Sequence, residues 1–497
     1  ALVRGICEDV ISRAGAALAT RVAAGGAAGG AGAVLVLNAA SHPSSGLVEL
    51  DLSSLGLSGL GVGDGLVAVP SGGHHAGEPV QALADGRVGW VASAPGCGWS
   101  RYDLVPADGE ARAVGGAVEV VGGAEAATAV EDGTGGVELS NGLLTVRIDD
   151  AGLLGSVLDH LTGREVLEPG EQGNVLQLHH DFPNDTDAWD VDQGAFARAT
   201  ELRDLESIEI IELGPVRAAV RIVRSFGQSR ITQDVRLVAG SRRLEFATEV
   251  EWGERHRFLK AAFPVAVRAP SASFEIQFGY VQRATHANTT WDAARFEVPA
   301  QRWADLSEPG FGVALLNDCK YGYDIRGSVM RLSLLRGPTW PDPDADKGLH
   351  RFSYALLPHG GLAASLGSAG SVVDEAETFN LGLRAVPIPH VGGAAGGGSG
   401  GAGPLPERAS LVDVTGAMVS SVKRADGGPE IVVRAWEPAG SHGALELQLG
   451  RGGLPPVTAA SRTDVLERDL TTVEVGADGR ISLPLKPFEL VTLKLSP

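Results

Sequence analysis

Past Gly26 the chain has almost no helical period; apolar and polar residues alternate instead, in runs separated by glycine-containing turns. Leu244, Phe246, Thr248, Val250 and Trp252 alternate with Glu245, Ala247, Glu249 and Glu251, so a strand there turns one face to a core and a charged face to water. Phe274, Ile276, Phe278 and Tyr280 repeat the pattern against Glu275 and Gln277. Asp85-Gly86, Asn141-Gly142 and Asp478-Gly479 stand between such runs, as hairpins and sandwiches require. The pattern predicts a mainly β, antiparallel protein. No repeat of fixed period is present, which disfavours solenoids and propellers.

The first residues read differently. Leu2, Ile6, Val10, Ala14 and Leu18 recur every four positions with Val3, Cys7 and Ile11 beside them, one apolar stripe on a helix that Gly25 and Gly26 stop. A lone helix of this length does not hold itself up in water, so it is expected to be the last helix of a bundle whose other members precede Ala1. Because the chain starts inside that helix and not at Met, its N-terminus is expected to arise from truncation, processing or partial coverage. A chain of 497 residues exceeds what one core organises. The expected division is 1–26, 27–132, 133–390, a Gly-rich linker at 391–404 (VGGAAGGGSGGAGP) and 405–497, the boundary near Gly133–Gly136 falling where an Ala/Gly/Glu run gives way to alternation at Leu144–Ile148.

A formal net charge of −20 repels phosphate backbones and anionic headgroups, so neither nucleic acid nor a membrane is an expected partner. The three cysteines, Cys7, Cys97 and Cys319, are too few and too scattered for a disulfide framework or a thiolate metal site, which fits a reducing cytoplasm. No apolar run reaches the ~20 residues that span a bilayer.

The densest chemistry lies in LHHDFPNDTDAWDVD, where His179, His180, Asp181, Asp185, Asp187, Asp190 and Asp192 crowd around Trp189. An EF-hand reading fails for want of the loop glycine and the terminal Glu. A zinc site from His179 and His180 is weak, since neighbours on a strand face opposite ways. The loop either lines a polar sugar-binding surface or is a solvated turn. NDCKYG, Asn317–Gly322, follows an apolar strand, and there Asp318 and Lys320 either reach a ligand or merely face water. QRATHANTTWDAARFE, Gln282–Glu297, mixes the aromatic and planar polar groups that suit sugars, or is a hairpin cross-over with Trp291 in the core. No G-x-S-x-G, Walker or H-E-x-x-H pattern is present. Glycosidase chemistry needs two carboxylates about 5 to 9 Å apart, and sequence does not single them out among 61 acidic residues.

DAWDVD (Asp187–Asp192), EVEWGERHRFLKAAFP (Glu249–Pro264), FEIQFGYVQRATHANTTWDAARFEV (Phe274–Val298), RWADLSEPGFGVALLNDCKYG (Arg302–Gly322) and RLSLLRGPTWPDPDADKGLHRFSYALLPH (Arg331–His359) are together similar to the cytosolic and bacterial branch of the family 38 α-mannosidases. The resemblance implies the end of a helical bundle, a small β-sandwich, a large β-supersandwich like that of sugar mutarotases, and a small terminal sandwich. It also implies retaining hydrolysis of α-mannosides in glycans or oligosaccharides, with a zinc ion beside an Asp nucleophile and an Asp acid. In the family those groups lie upstream, in a catalytic domain that would be this chain's partner. His179-His180-Asp181 is not the family's zinc motif, so no catalytic residue or metal ligand is carried over. Zinc is expected in the full-length enzyme and none in this chain, which alone is expected to be inactive.

On this reading the chain completes the active-site wall, with Asp187, Trp189, Asp190, Asp318, Lys320 and Tyr321 nearest the sugar. Thr186 departs from the family, where an aromatic often precedes the DAWD segment. The alternatives are a stand-alone lectin-like module without hydrolysis, and an assembly scaffold, since the apolar fraction permits a homo-oligomer.

Overall fold

The structure is a computed structural model that describes residues 2–23, 32–55, 65–71, 77–106, 125–361, 371–389, 405–449 and 456–496; the Gly-rich run at 391–404 and the glycines closing the first helix lie outside them. It forms two compact units, one from Ala1–Gly123 together with Leu381–Pro497 and the other from Ala124–Asn380. The described strands pair antiparallel, as alternation requires.

In the first unit helix α1 (Leu2–Ala23) lies on β1 (Ala33–Asn38) and the strand Leu383–Pro387. Its buried face is not the four-residue stripe read from the sequence. Gly15, Ala19 and Val22 are buried, whereas Ile6, Val10 and Ile11 are 56%, 52% and 39% exposed. Small residues decide this, because a Cβ on Gly15 would already stand 3.0 Å from Val386 and 3.3 Å from Leu37. β1 is paired on one side by Leu383–Pro387 and on the other by β2 (Gly98–Pro106). Val34, Val36, Val48, Trp90 and Tyr102 form the core beneath that sheet. Arg408–Ser410 also pairs with β2, and Trp99 Nε1 donates to the Pro406 carbonyl at 2.9 Å. The last residues then form a three-stranded and a five-stranded sheet around Val433, Leu445, Leu447 and Leu493.

The second unit opens with a five-stranded sheet in which Gly133–Gly136, read above as a boundary, lie in the turn between the strands Thr128–Glu131 and Val137–Ser140. Its main body is a six-stranded sheet containing β3 (Val175–His180), β4 (Arg257–Pro264), β6 (Gly322–Arg326) and β7 (Val329–Arg336), and a nine-stranded sheet containing β5 (Phe311–Asn317) and β8 (Gly348–His359). Their facing sides meet in aromatic contacts, Phe263 of β4 lying 5.6 Å from Phe246 and 6.3 Å from Tyr354. Between the sheets a closed polar network runs from the Tyr354 hydroxyl to Asn174 Oδ1 at 2.7 Å, with Gln233 Nε2 donating to Tyr354 and to Thr248, so the buried polar atoms it contains are satisfied.

The alternation at Leu244–Trp252 appears as expected, with Leu244, Phe246, Thr248, Val250 and Trp252 all buried. The second run does not continue as one strand. Ser271–Ile276 and Gly279–Ala284 are a hairpin, and Phe278 sits in the turn at φ 56°, 41% exposed. The chain reverses at Gln277–Phe278 with Phe278 itself in the left-handed region, which the period of two conceals.

Candidate functional site

Where β3 ends, His179 is buried, His180 is exposed and Asp181 is buried, the alternation of a strand. Arg336, at the end of β7, gives Asp181 two hydrogen bonds of 2.7 and 2.9 Å and also reaches the carbonyls of Asp187 and Asp190 at 3.2 and 2.7 Å. One guanidinium therefore ties the DAWD loop to the sheet, using the several fixed donors that lysine lacks.

Asp187 Oδ2 accepts from Thr339 N at 2.6 Å, Thr339 Oγ1 at 3.2 Å and Trp340 N at 3.1 Å. Burial acts to raise its pKa, but these bonds and the neighbouring His256 outweigh it and hold the carboxyl below the usual range. Its Oδ1 lies 3.9 Å from His256 Nδ1 and has no hydrogen-bond partner among the described residues. His256 stacks on Phe182 at 4.6 Å. Thr186 and His256 both carry positive φ, 49° and 50°, a costly conformation for a β-branched threonine. The result is an outward-facing pair, Trp189 and Trp340, 69% and 59% exposed and set edge to face at 5.8 Å.

The NDCKYG segment is a second built loop. Asn317 Nδ2 donates to the Gln301 carbonyl and to the Tyr323 hydroxyl, both at 2.6 Å, while its Oδ1 accepts from Lys320 N at 2.6 Å. Asp318 Oδ2 accepts from Ser353 N of β8 at 2.9 Å, so this carboxylate serves as a clamp. Lys320 Nζ lies 4.2 Å from the Phe352 ring centroid. Burial pulls its pKa down, against the opposing pull of Cys319, Asp318 and Asp346. Tyr321 is 59% exposed.

The structure thus brings Asp187, Trp189 and Asp190 together on Arg336–Trp340 and sets Asp318 and Lys320 against β8, while the exposed Tyr321 accepts from Ala300 N through its carbonyl. The Asp190 carboxylate accepts from Val191 N, and its carbonyl makes the contact with Arg336. Arg336, Thr339, Trp340 and His256 were not singled out from sequence; Trp340 lies 153 positions from Asp187, beyond any local pattern. Trp291 is not a core residue: it is 76% exposed on the helix Thr290–Ala294, which Thr289 caps.

Among the described residues no group of three His, Cys, Asp or Glu side chains is placed to hold a metal ion. His179 Nδ1 faces the Ala195 carbonyl at 3.2 Å, His180 faces Arg257, and Asp181 is taken by Arg336. These residues do not fit a zinc centre. Among the described residues no helix is long and apolar enough to cross a membrane.

Residues 139–344 match the glycosyl hydrolases family 38 C-terminal domain, and residues 416–493 match the family 38 C-terminal β-sandwich domain. All six candidate residues fall in the first match. The chain is 40% identical over 375 residues to alpha-mannosidase 2C1 of Homo sapiens, covering 74% of this chain and 34% of that protein. It is 36% identical over 243 residues to an alpha-mannosidase of Saccharomyces cerevisiae, covering 46% of this chain and 22% of that one. Among solved structures, an alpha-mannosidase from Enterococcus faecalis V583 superposes with a TM-score of 0.67 at 17% identity, over 93% of this chain and 56% of that one. The chain spans about a third of the length of the curated human relative. Two family-model matches in sequence order, and a shared fold over nearly the whole chain, lead to one assignment: this chain belongs to glycosyl hydrolase family 38, of which it carries the C-terminal β domains.

Proposed function

We propose that the chain is the C-terminal β region of a zinc-dependent, retaining α-mannosidase, and that its two loops complete the wall of an active site whose nucleophile, acid and zinc ligands lie outside residues 1–497. The observation that carries the reading is the Trp189–Trp340 pair, held open by Asp187 and Arg336. Exposed rings at a fixed angle suit the C–H faces of a sugar. Asp187 is a poor general acid, since that role calls for a raised carboxyl pKa and this one is depressed. It acts as a positioning residue for the ring beside it. Lys320, half-buried beside Phe352, is the cation best suited to donate to a glycan hydroxyl. The exposed Ile6–Val10–Ile11 face of α1 is where the remaining bundle helices of a catalytic domain would pack.

In the full-length protein Lys320→Ala is expected to lower kcat/KM for an aryl α-mannoside about tenfold, the worth of one hydrogen bond to a charged donor, with folding intact. Unchanged kinetics in a folded variant would remove Lys320 from the site. The chain by itself is expected to hydrolyse no aryl α-mannoside and to hold no stoichiometric zinc, with activity restored by a separately expressed N-terminal half. Turnover, or one tightly bound zinc per chain, would overturn the placement of the catalytic groups.

A further inference from the structure

The six-stranded sheet of the second unit carries a polar row on the face turned away from its partner sheet. Register places Gln177, Lys260 and Ser333 side by side across β3, β4 and β7, and Arg331 opposite Asp324 in the neighbouring row. A row of this kind is costly unless its members are paired, and it is paired internally. Lys260, fully buried, meets Glu297, and its Nζ lies 4.6 Å from the centroid of Phe196. Arg331 reaches Asp324 and the Gln177 amide oxygen, both at 3.1 Å. Gly322 makes room for this arrangement, because a Cβ there would stand 2.7 Å from Glu297 Oε1 and 2.8 Å from Ser333 Cβ.

Above the row lies a cavity of about 400 Å³ lined by Gln177, His179, Phe196, Phe296, Asp324 and Arg331. Its chemistry is particular. Phe196 and Phe296, 5.6 Å apart, offer apolar ring faces. Asp324 and Arg331, bonded to each other, each keep further acceptor or donor positions on a planar group, and the Gln177 NH2 has no partner among the described residues. His179 Nδ1 faces a carbonyl, which makes it the protonated nitrogen, and Nε2 is left with a lone pair that has no partner among the described residues. Burial, then the Lys260 charge, push that imidazole's pKa down to about 4, so the ring is neutral and its Nε2 can only accept from an O–H or N–H group.

We infer that this cavity is a second carbohydrate subsite, separate from the Trp189–Trp340 surface, which takes one neutral hexose unit of a glycan against the adjoining rings of Phe196 and Phe296 with its hydroxyls on Gln177, Asp324 and Arg331. The volume is that of a small-ligand pocket. Lys260 is paired with Glu297, and Asp324 is paired with both Arg331 and Arg326, the second of which also lines the cavity, so each charge there already has an opposite partner, which favours a neutral sugar over a sugar acid or a sugar phosphate.

The test is a titration of the chain with methyl α-mannoside, methyl α-glucoside and methyl α-galactoside, with mannose 6-phosphate and glucuronate as charged comparisons. It is read by the ring-nitrogen NMR signals of His179 and by calorimetry. At least one neutral glycoside is expected to shift the His179 signals. Gln177→Ala should weaken that binding about tenfold through loss of one hydrogen bond. Ala197→Trp, at an exposed rim position, should abolish it by filling the cavity without touching the buried row. Trp189→Ala should leave it unchanged, which keeps this inference distinguishable from the function proposed above. No shift with any neutral glycoside, binding only of the charged sugars, or binding retained in folded Ala197→Trp would each overturn it.

Discussion

A single threonine shows how a loop can be held in a conformation that its own side chain resists. Thr186 adopts φ 49° immediately before Asp187, and the Trp189 and Asp190 amides both point back to its carbonyl. Non-glycine residues in this region cost on the order of 1–3 kcal/mol, and β-branching adds to the strain. Thr186→Asn is therefore expected to stabilise the protein by about 1 kcal/mol, read as a higher denaturation midpoint, because asparagine tolerates the left-handed region. An unchanged or lower midpoint would show that the loop does not bear this strain. His179 makes a second prediction at this scale. Its folded pKa of about 4 lies below the 6.5 of a free imidazole, so the unfolded chain binds the extra proton between those values. Stability from this group is complete above pH 6.5 and is lost as pH falls toward 4, by up to about 3 kcal/mol. His179→Gln should flatten that part of the stability profile relative to the parent chain, and identical pH slopes would contradict it.

Elements explain what could be read from sequence and what could not. The strand Leu244–Trp252 was legible because each of its side chains obeys one period, and the sheet it enters is buried on the face that the period selects. Phe278 broke the same reasoning, since a turn residue with an apolar side chain looks like one more strand position. In α1 the stripe of large residues was legible, but the packed face was chosen by the small ones, Gly15 and Ala19, whose use depends on a strand more than 360 positions away at Val386. The DAWD loop was marked by its density of acids. Its supports, Arg336 and Thr339, were hidden because nothing local links a loop to a strand end about 150 residues later. The NDCKYG loop rests on Asn317, 1% exposed and bonded to Gln301, Lys320 and Tyr323. Asn317→Ala strips those groups of their partner, and a loss of about 2–4 kcal/mol is expected in chemical denaturation. A loss under about 1 kcal/mol would mean that the strand end holds the loop without it.

At the scale of the whole molecule the chain visits one unit, leaves it for Ala124–Asn380, and returns at Leu381. A chain limited to Ala124–Asn380 is continuous and carries its own paired sheets, so it is expected to fold alone with a cooperative melt and a near-ultraviolet signature of ordered tryptophans. A non-cooperative melt would show that it depends on the other unit. The reverse excision has no simple form, because β1 gets one of its two neighbours from Leu383–Pro387. That pairing also sets a timetable for synthesis on the ribosome. Val34 must wait for Pro387, an interval of tens of seconds at about 5–20 residues per second. Through that interval the segment Ala-Val-Leu-Val-Leu-Asn keeps an open, apolar strand edge of the kind that recruits other chains. A ribosome paused before Leu383 holds that edge open, so translation speed late in the message governs whether the first strand meets its own partner or a neighbour's.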